Sequence, residues 1–152
     1  MTLPNLITIA RLFMVPLDGG ARSPFAEVYA VDPLWSPDGD AVVYSGPDIG
    51  TTFQVNAVGR TGSTQPLPAI TLNRGSRHLA FRPGGRSLAL LRGEMGHKNL
   101  ALVDLTTGVE RQLTNLSADF GLRDFDISPD GRHMVLEQVQ ELSDIVLIEL
   151  NR

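Results

Sequence analysis

One turn motif occurs three times in this chain at a fixed interval: Trp35-Ser-Pro-Asp-Gly39, Phe81-Arg-Pro-Gly-Gly85 and Ile127-Ser-Pro-Asp-Gly131. The first positions differ by 81 minus 35 and by 127 minus 81, which is 46 both times. A period of roughly 40 to 50 residues marks an array of one repeated supersecondary unit, because each unit must bury its apolar face against the next. That interval constrains the fold more than any other feature.

After each motif comes a short apolar run, namely Ala41 to Tyr44, Ser87 to Leu91 and His133 to Leu136. Short runs bounded by Gly or charged residues favour strand over helix. Pro presets φ and Gly supplies a position where φ is positive, so each motif predicts a tight turn within a hairpin. A further strand is expected at Thr52 to Val58, Asn99 to Leu105 and Asp144 to Leu150. A weaker polar strand follows in places, as at Val109 to Thr114. Four antiparallel strands per unit at this period are the blades of a β-propeller, with the first strand innermost.

The expected fold is therefore all-β, with about three blades in 152 residues. Residues 1–9 form an apolar N-terminal segment, and 10–152 form a single domain. That domain divides into a blade part at 10–30, blades at 31–76 and 77–122, and a partial blade at 123–152. A propeller closes with about four to eight blades. The ring is thus incomplete as written, or is completed by head-to-tail pairing into a homodimer, since a cyclic arrangement closes instead of growing as a filament.

The pattern x-Ser-Pro-Asp-Gly-[Arg/Asp]-x-apolar, as in Trp35-Ser-Pro-Asp-Gly-Asp-Ala-Val-Val-Tyr44 and Asp126-Ile-Ser-Pro-Asp-Gly-Arg-His-Met-Val135, resembles TolB-like β-propeller repeats. The middle copy departs from it, with Gly84 in place of Asp. The resemblance implies a propeller of the kind found in periplasmic TolB proteins, in sensor regions of bacterial kinases or regulators, and in propellers that gate prolyl oligopeptidase-type enzymes. A second, shorter likeness covers Leu3 to Leu17, which resembles the opening of CDP-alcohol phosphatidyltransferases. Those enzymes need a D-G-x-x-A-R metal motif, and Asp18-Gly-Gly-Ala-Arg22 is one residue short of it. No hydrophobic stretch after residue 17 approaches the ~20 residues of a membrane span.

Composition narrows the function classes. Net charge is −4, and the 13 basic residues are scattered, so there is no electrostatic footprint for nucleic acid. The absence of cysteine excludes disulfides and thiolate zinc sites. No basic n-region precedes the apolar N-terminal run, so no signal peptide is read there. Localisation stays open, periplasmic if the chain is part of an exported TolB-like protein.

No catalytic residue is assigned. There is no G-x-S-x-G elbow and no G-x-x-x-x-G-K-[ST] loop, and His78, His97 and His133 lack H-E-x-x-H spacing. Lys98 falls in an expected linker between strands, and Asn115-Leu-Ser117 matches the glycosylation rule by letters alone. Asp38 and Asp130 are expected to cap their own turns. Trp35, Phe81 and Ile127 are expected to pack neighbouring blades together. Three residues before each of these lie Asp32, His78 and Asp124, again 46 apart. On first strands lining a central channel, these three polar side chains are the ligand-site candidates, with geometry for a cation or a peptide.

No cofactor and no resident metal are expected. The function this predicts is a non-catalytic scaffold that binds a protein or peptide through its face loops or channel, since exposed loops on a rigid repeat carry recognition. The alternative is a propeller that gates substrate for a prolyl oligopeptidase-type hydrolase whose catalytic domain lies outside these residues.

Overall fold

A computed structural model describes residues 10–75, 78–94 and 96–140. The described residues contain strands and turns and no helix. The strands are β1 (Leu12–Met14), β2 (Ser23–Ala26), β3 (Val31–Trp35), β4 (Ala41–Asp48), β5 (Thr52–Gly59), β6 (Thr64–Gln65) and β7 (Thr71–Asn73). They continue as β8 (Leu79–Phe81), β9 (Ser87–Glu94), β10 (His97–Asp104), β11 (Glu110–Gln112), β12 (Phe120–Ile127) and β13 (Met134–Gln140). The apolar segment 1–9 and the strand expected at Asp144 to Leu150 lie outside the described residues.

Strands β8 to β11 form a four-stranded antiparallel meander, and β3 to β6 repeat it one period earlier. β1 pairs with β2, and β12 with β13. In the earlier meander the fourth strand is split. β6 meets Ala57 and Val58 on β5, while β7 meets Thr52 to Gln54 on the same strand. Pro66 and Pro68 between them cannot donate ladder hydrogen bonds, which breaks the edge in two.

The hairpin register repeats with the sequence. Trp35 faces Val42, Phe81 faces Leu88, and Ile127 faces Met134, so all three pairs sit seven residues apart across the motif. Alternation of side chains then assigns each face. On β4, Val42 and Tyr44 join a cluster with Leu12, Ala26 and Val58, while Val43 points to the opposite side. On β9, Leu88 and Leu90 meet Val43, Val55 and Leu72 of the earlier sheet. Ala89 and Leu91 instead pack with Leu122 and Phe125 of the β12–β13 pair. Sheets therefore stack side by side in chain order, and the two meanders are apolar on both faces.

A polar clamp reinforces one seam. The Arg92 guanidinium on β9 makes a fork on the Glu110 carboxylate of β11, with Nε to Oε1 and Nη2 to Oε2 both 2.8 Å, and also donates to the Thr71 carbonyl on β7 of the neighbouring sheet. Paired forks of this kind hold direction as well as charge.

The structure corrects two expectations. Lys98 is not in a linker: β9 runs on to Glu94 and β10 begins at His97, so Lys98 pairs with Gly93 within the ladder. Gly93 permits this because a Cβ there would lie 2.3 Å from the His97 carbonyl oxygen. Trp35 is not core like its counterparts. It is 47% exposed, its ring tilted against Phe25 at 5.7 Å, whereas Phe81 and Ile127 are half-buried against the clusters on either side of the central sheet.

Candidate functional site

The three turns show why the motif has its composition. In the first, Ser36 Oγ donates to Asp38 Oδ1 at 2.5 Å, Asp40 N donates to the same oxygen at 3.0 Å, and Ala41 N donates to Ser36 Oγ at 3.0 Å. In the third, Ser128, Asp130, Arg132 and His133 repeat the arrangement with the same distances. The serine hydroxyl and then the backbone N–H hold the Asp38 and Asp130 carboxyls below the usual carboxylate range. Asp104 behaves likewise in the β10–β11 turn, held down by the N–H groups of Thr107 and then Thr106.

The middle turn is built differently. Gly85 N donates to the Arg82 carbonyl at 3.0 Å, and Gly84 adopts φ +93°, the positive value that the third position of a type II turn requires. Its counterparts Asp38 and Asp130 are absent from the positive-φ residues. Replacing Asp by Gly thus removes a carboxylate and changes the turn class together.

The final glycine of the motif has a second use. A Cβ on Gly131 would lie 2.9 Å from Pro83 Cδ, and one on Gly85 would lie 3.6 Å from Pro37 Cδ. The proline of one turn therefore rests against the glycine of the next, and the turns stack as the sheets do.

The register-related polar residues lie on or beside the first strands of their sheets. Asp32 is in β3, His78 immediately precedes β8, and Asp124 is in β12. His78 Nδ1 approaches Asp124 Oδ1 at 3.2 Å, and the imidazole meets the Phe125 ring edge-on at 4.8 Å. Asp124 Oδ1 also accepts from Phe125 N at 2.9 Å. Asp32 and His78 line one cavity of about 260 Å³ with Pro33, Leu34 and Leu79. Asp32 has φ +52°, the single positive value outside glycine among the described residues. It precedes Pro33, a position normally restricted to extended backbone, and sits where the β3–β4 register shifts between Val31 and Leu34. Among the described residues no group of three or more His, Asp or Glu side chains is placed to hold a metal ion, so the trio is not arranged as a cation cage.

Other recesses fall between sheets. A cavity of about 470 Å³ is bordered by His97, Lys98, Asp119, Gly121, Arg123 and Val139, with His97 Nδ1 2.9 Å from the Phe120 carbonyl. Burial lowers the Lys98 pKa, and its ammonium donates to the Gly75 carbonyl. Two smaller slots open beside the stacked turns, one on either side of the central sheet. One of them is bordered by Arg82, Arg111 and Arg132, which were not among the sequence candidates. The visible signal was the departure of the middle motif, where Arg82 replaces the serine of the other copies.

Antiparallel meanders stacked in chain order define a β-propeller fold, and the pattern of its turns resembles TolB-like repeats. Comparison with solved structures agrees. A putative TolB from Agrobacterium tumefaciens superposes with a TM-score of 0.65 at 21% identity, over 88% of this chain and 52% of its own. A prolyl endopeptidase superposes with a TM-score of 0.61 at 13% identity, over 86% of this chain and 23% of its own. At these identities the likeness is one of fold. In sequence, an uncharacterized peptidase of Bacillus subtilis, YuxL, is 28% identical over 128 residues, which is 83% of this chain and 18% of that protein. The chain thus spans under a fifth of that relative's length. No protein-family model matches the sequence.

Proposed function

We propose that this chain is a non-catalytic propeller module that holds a peptide or protein segment along the row of Asp32, His78 and Asp124. The supporting observation is the 3.2 Å approach of His78 Nδ1 to Asp124 Oδ1, joining residues 46 positions apart on neighbouring sheets. Carboxylates beside an imidazole suit a segment that offers N–H donors or a cationic side chain. Titration of an acetylated, amidated Lys-Ala-Lys peptide into the chain and into Asp124→Asn tests this by calorimetry. Weakening of about fivefold or more in the variant is expected. Absence of binding to the parent chain, or equal binding to both, overturns it.

The peptidase relative favours one specific form of this reading, in which the propeller filters substrate for a catalytic domain elsewhere in a longer protein. Flanking coding sequence for an α/β-hydrolase would support that form, and flanking sequence for a kinase or regulator would oppose it. A second copy of the chain is a further proposed partner. Phe13 and Met14 at one side and Val135 and Leu136 at the other are exposed apolar residues that head-to-tail pairing would cover. Sedimentation at micromolar concentration tests it, and a folded monomer contradicts it.

A further inference from the structure

The two slots beside the turns are the same place in successive repeats with different chemistry. The first, of about 340 Å³, is bordered by Ser36, Gln65, Leu67, Phe81 and Gly85. The second, of about 190 Å³, is bordered by Arg82, Arg111, Leu113, Ile127 and Gly131. Each residue of the second set is 46 positions after its counterpart in the first. The position is therefore inherited from the fold, and the size and the charge differ.

In the first slot the remaining border includes Asp38 and Asp40. In the second, Gly84 stands where the first has Asp38, Arg82 replaces Ser36, Arg111 replaces Gln65, and Arg132 adds a third guanidinium. Among the described residues no ion pair engages Arg82, Arg111 or Arg132, as none engages Arg11, Arg22 or Arg86, but only the first three border one recess together. The carboxylates nearest in sequence are engaged elsewhere: Glu110, beside Arg111, takes the Arg92 fork on both oxygens, and Asp130 spends Oδ1 on Ser128 Oγ and Arg132 N within its own turn. The rest of the lining is largely apolar and half-buried, formed by Leu102, Leu113, Ile127 and Met134. In a chain of net charge −4, three unpaired arginines around one apolar recess are a local inversion of sign.

We propose that this second slot binds the terminal carboxylate of a peptide chain ending in an apolar residue. Guanidinium forks match a carboxylate with two parallel hydrogen bonds, and the apolar lining takes the last side chain. An inorganic oxyanion would satisfy the arginines and leave the apolar lining unused. The recess is small enough for one residue and its carboxylate, not for an extended segment. This assignment is independent of the Asp32–His78–Asp124 row, because the two regions share no residue.

Calorimetric titration of acetyl-Ala-Ala-Leu as free acid and as amide into the 152-residue chain tests it. The acid is expected to bind at least about tenfold tighter than the amide. Acetyl-Ala-Glu-Leu amide, carrying an internal carboxylate, is expected to bind like the simple amide. The double variant Arg82→Ser/Arg111→Gln installs the residues of the first slot, both at exposed positions, and should bring acid and amide to within about twofold of each other. Arg111→Gln alone should lose part of the preference and gives the same reading should the double variant fail to fold, while Arg111→Lys should retain more of it. Asp124→Asn should leave the preference intact. Equal binding of acid and amide, no binding of the acid, equal binding of the internal-glutamate amide, or a preference that survives the arginine substitutions would each overturn the assignment.

Discussion

Strands β9 and β13 hold the same station in the repeat and have opposite surroundings. Ala89 and Leu90 on β9 are 0% exposed, whereas Val135 and Leu136, 46 positions later on β13, are 69% and 41% exposed. Both strands follow a copy of the turn motif, of different class in the two, and pair with the preceding strand in the same register. What differs is the neighbourhood among the described residues, where β9 is covered by apolar clusters on both faces and β13 chiefly contacts its hairpin partner. The repeat determines where each side chain points, and the adjoining sheets determine how much burial stabilises it.

The largest expected effect separates these two stations directly. Leu90→Ala should destabilise the fold by about 2–5 kcal/mol, the cost of emptying a filled core site. Leu136→Ala should cost less than about 1 kcal/mol, because a half-exposed side chain has less transfer energy to lose. Urea denaturation of both variants checks the contrast, and equal losses would break it.

A second contrast concerns the stacked turns. Gly39 and Gly131 both have positive φ, at +73° and +67°, but a Cβ on Gly39 meets nothing within 4 Å while one on Gly131 would meet Pro83 at 2.9 Å. Gly39→Ala should cost about 1–2 kcal/mol from backbone strain alone. Gly131→Ala should cost about 1 kcal/mol or more beyond that, from overpacking against the neighbouring turn. Thermal unfolding of the pair separates the two contributions.

The smallest effect is on pH dependence and distinguishes the outer turns from the middle one. The Asp38 and Asp130 pKa values are depressed in the folded state, first by the serine hydroxyl and then by backbone N–H groups. Their contribution is therefore present above the unfolded value of about 3.9 and is lost as pH falls through the lower folded values. Asp38→Asn/Asp130→Asn should flatten the acid limb of stability below about pH 4 relative to the parent chain. Unfolding midpoints across that range test it.

The turn chemistry and hairpin register were legible in the sequence because both depend on local residue types, Ser, Pro, Asp and Gly at fixed offsets. The equivalence of Asp32, His78 and Asp124 could be read from spacing, but the closeness of His78 to Asp124 depends on how two sheets lean together. The split of β6 from β7 was signalled by Pro66 and Pro68, and only the shared partner β5 shows that the pieces form one edge. Trp35 misled because apolar bulk at a repeated position implies a neighbour at every copy, and the packing around β3 is not that around β8. The arginine slot was the least legible. Arg82, Arg111 and Arg132 are far apart in sequence and border one recess because the turn after β8, strand β11 and the last turn lie along one seam.

Native-state hydrogen exchange across β9 and β13 tests most directly the claim that equivalent stations take their stability from neighbouring sheets. Ladder-bonded amides on β9 should exchange at the rate of global unfolding, and those joining β13 to β12 should exchange at least about 100-fold faster through local opening. Equal protection in the two strands would contradict the account.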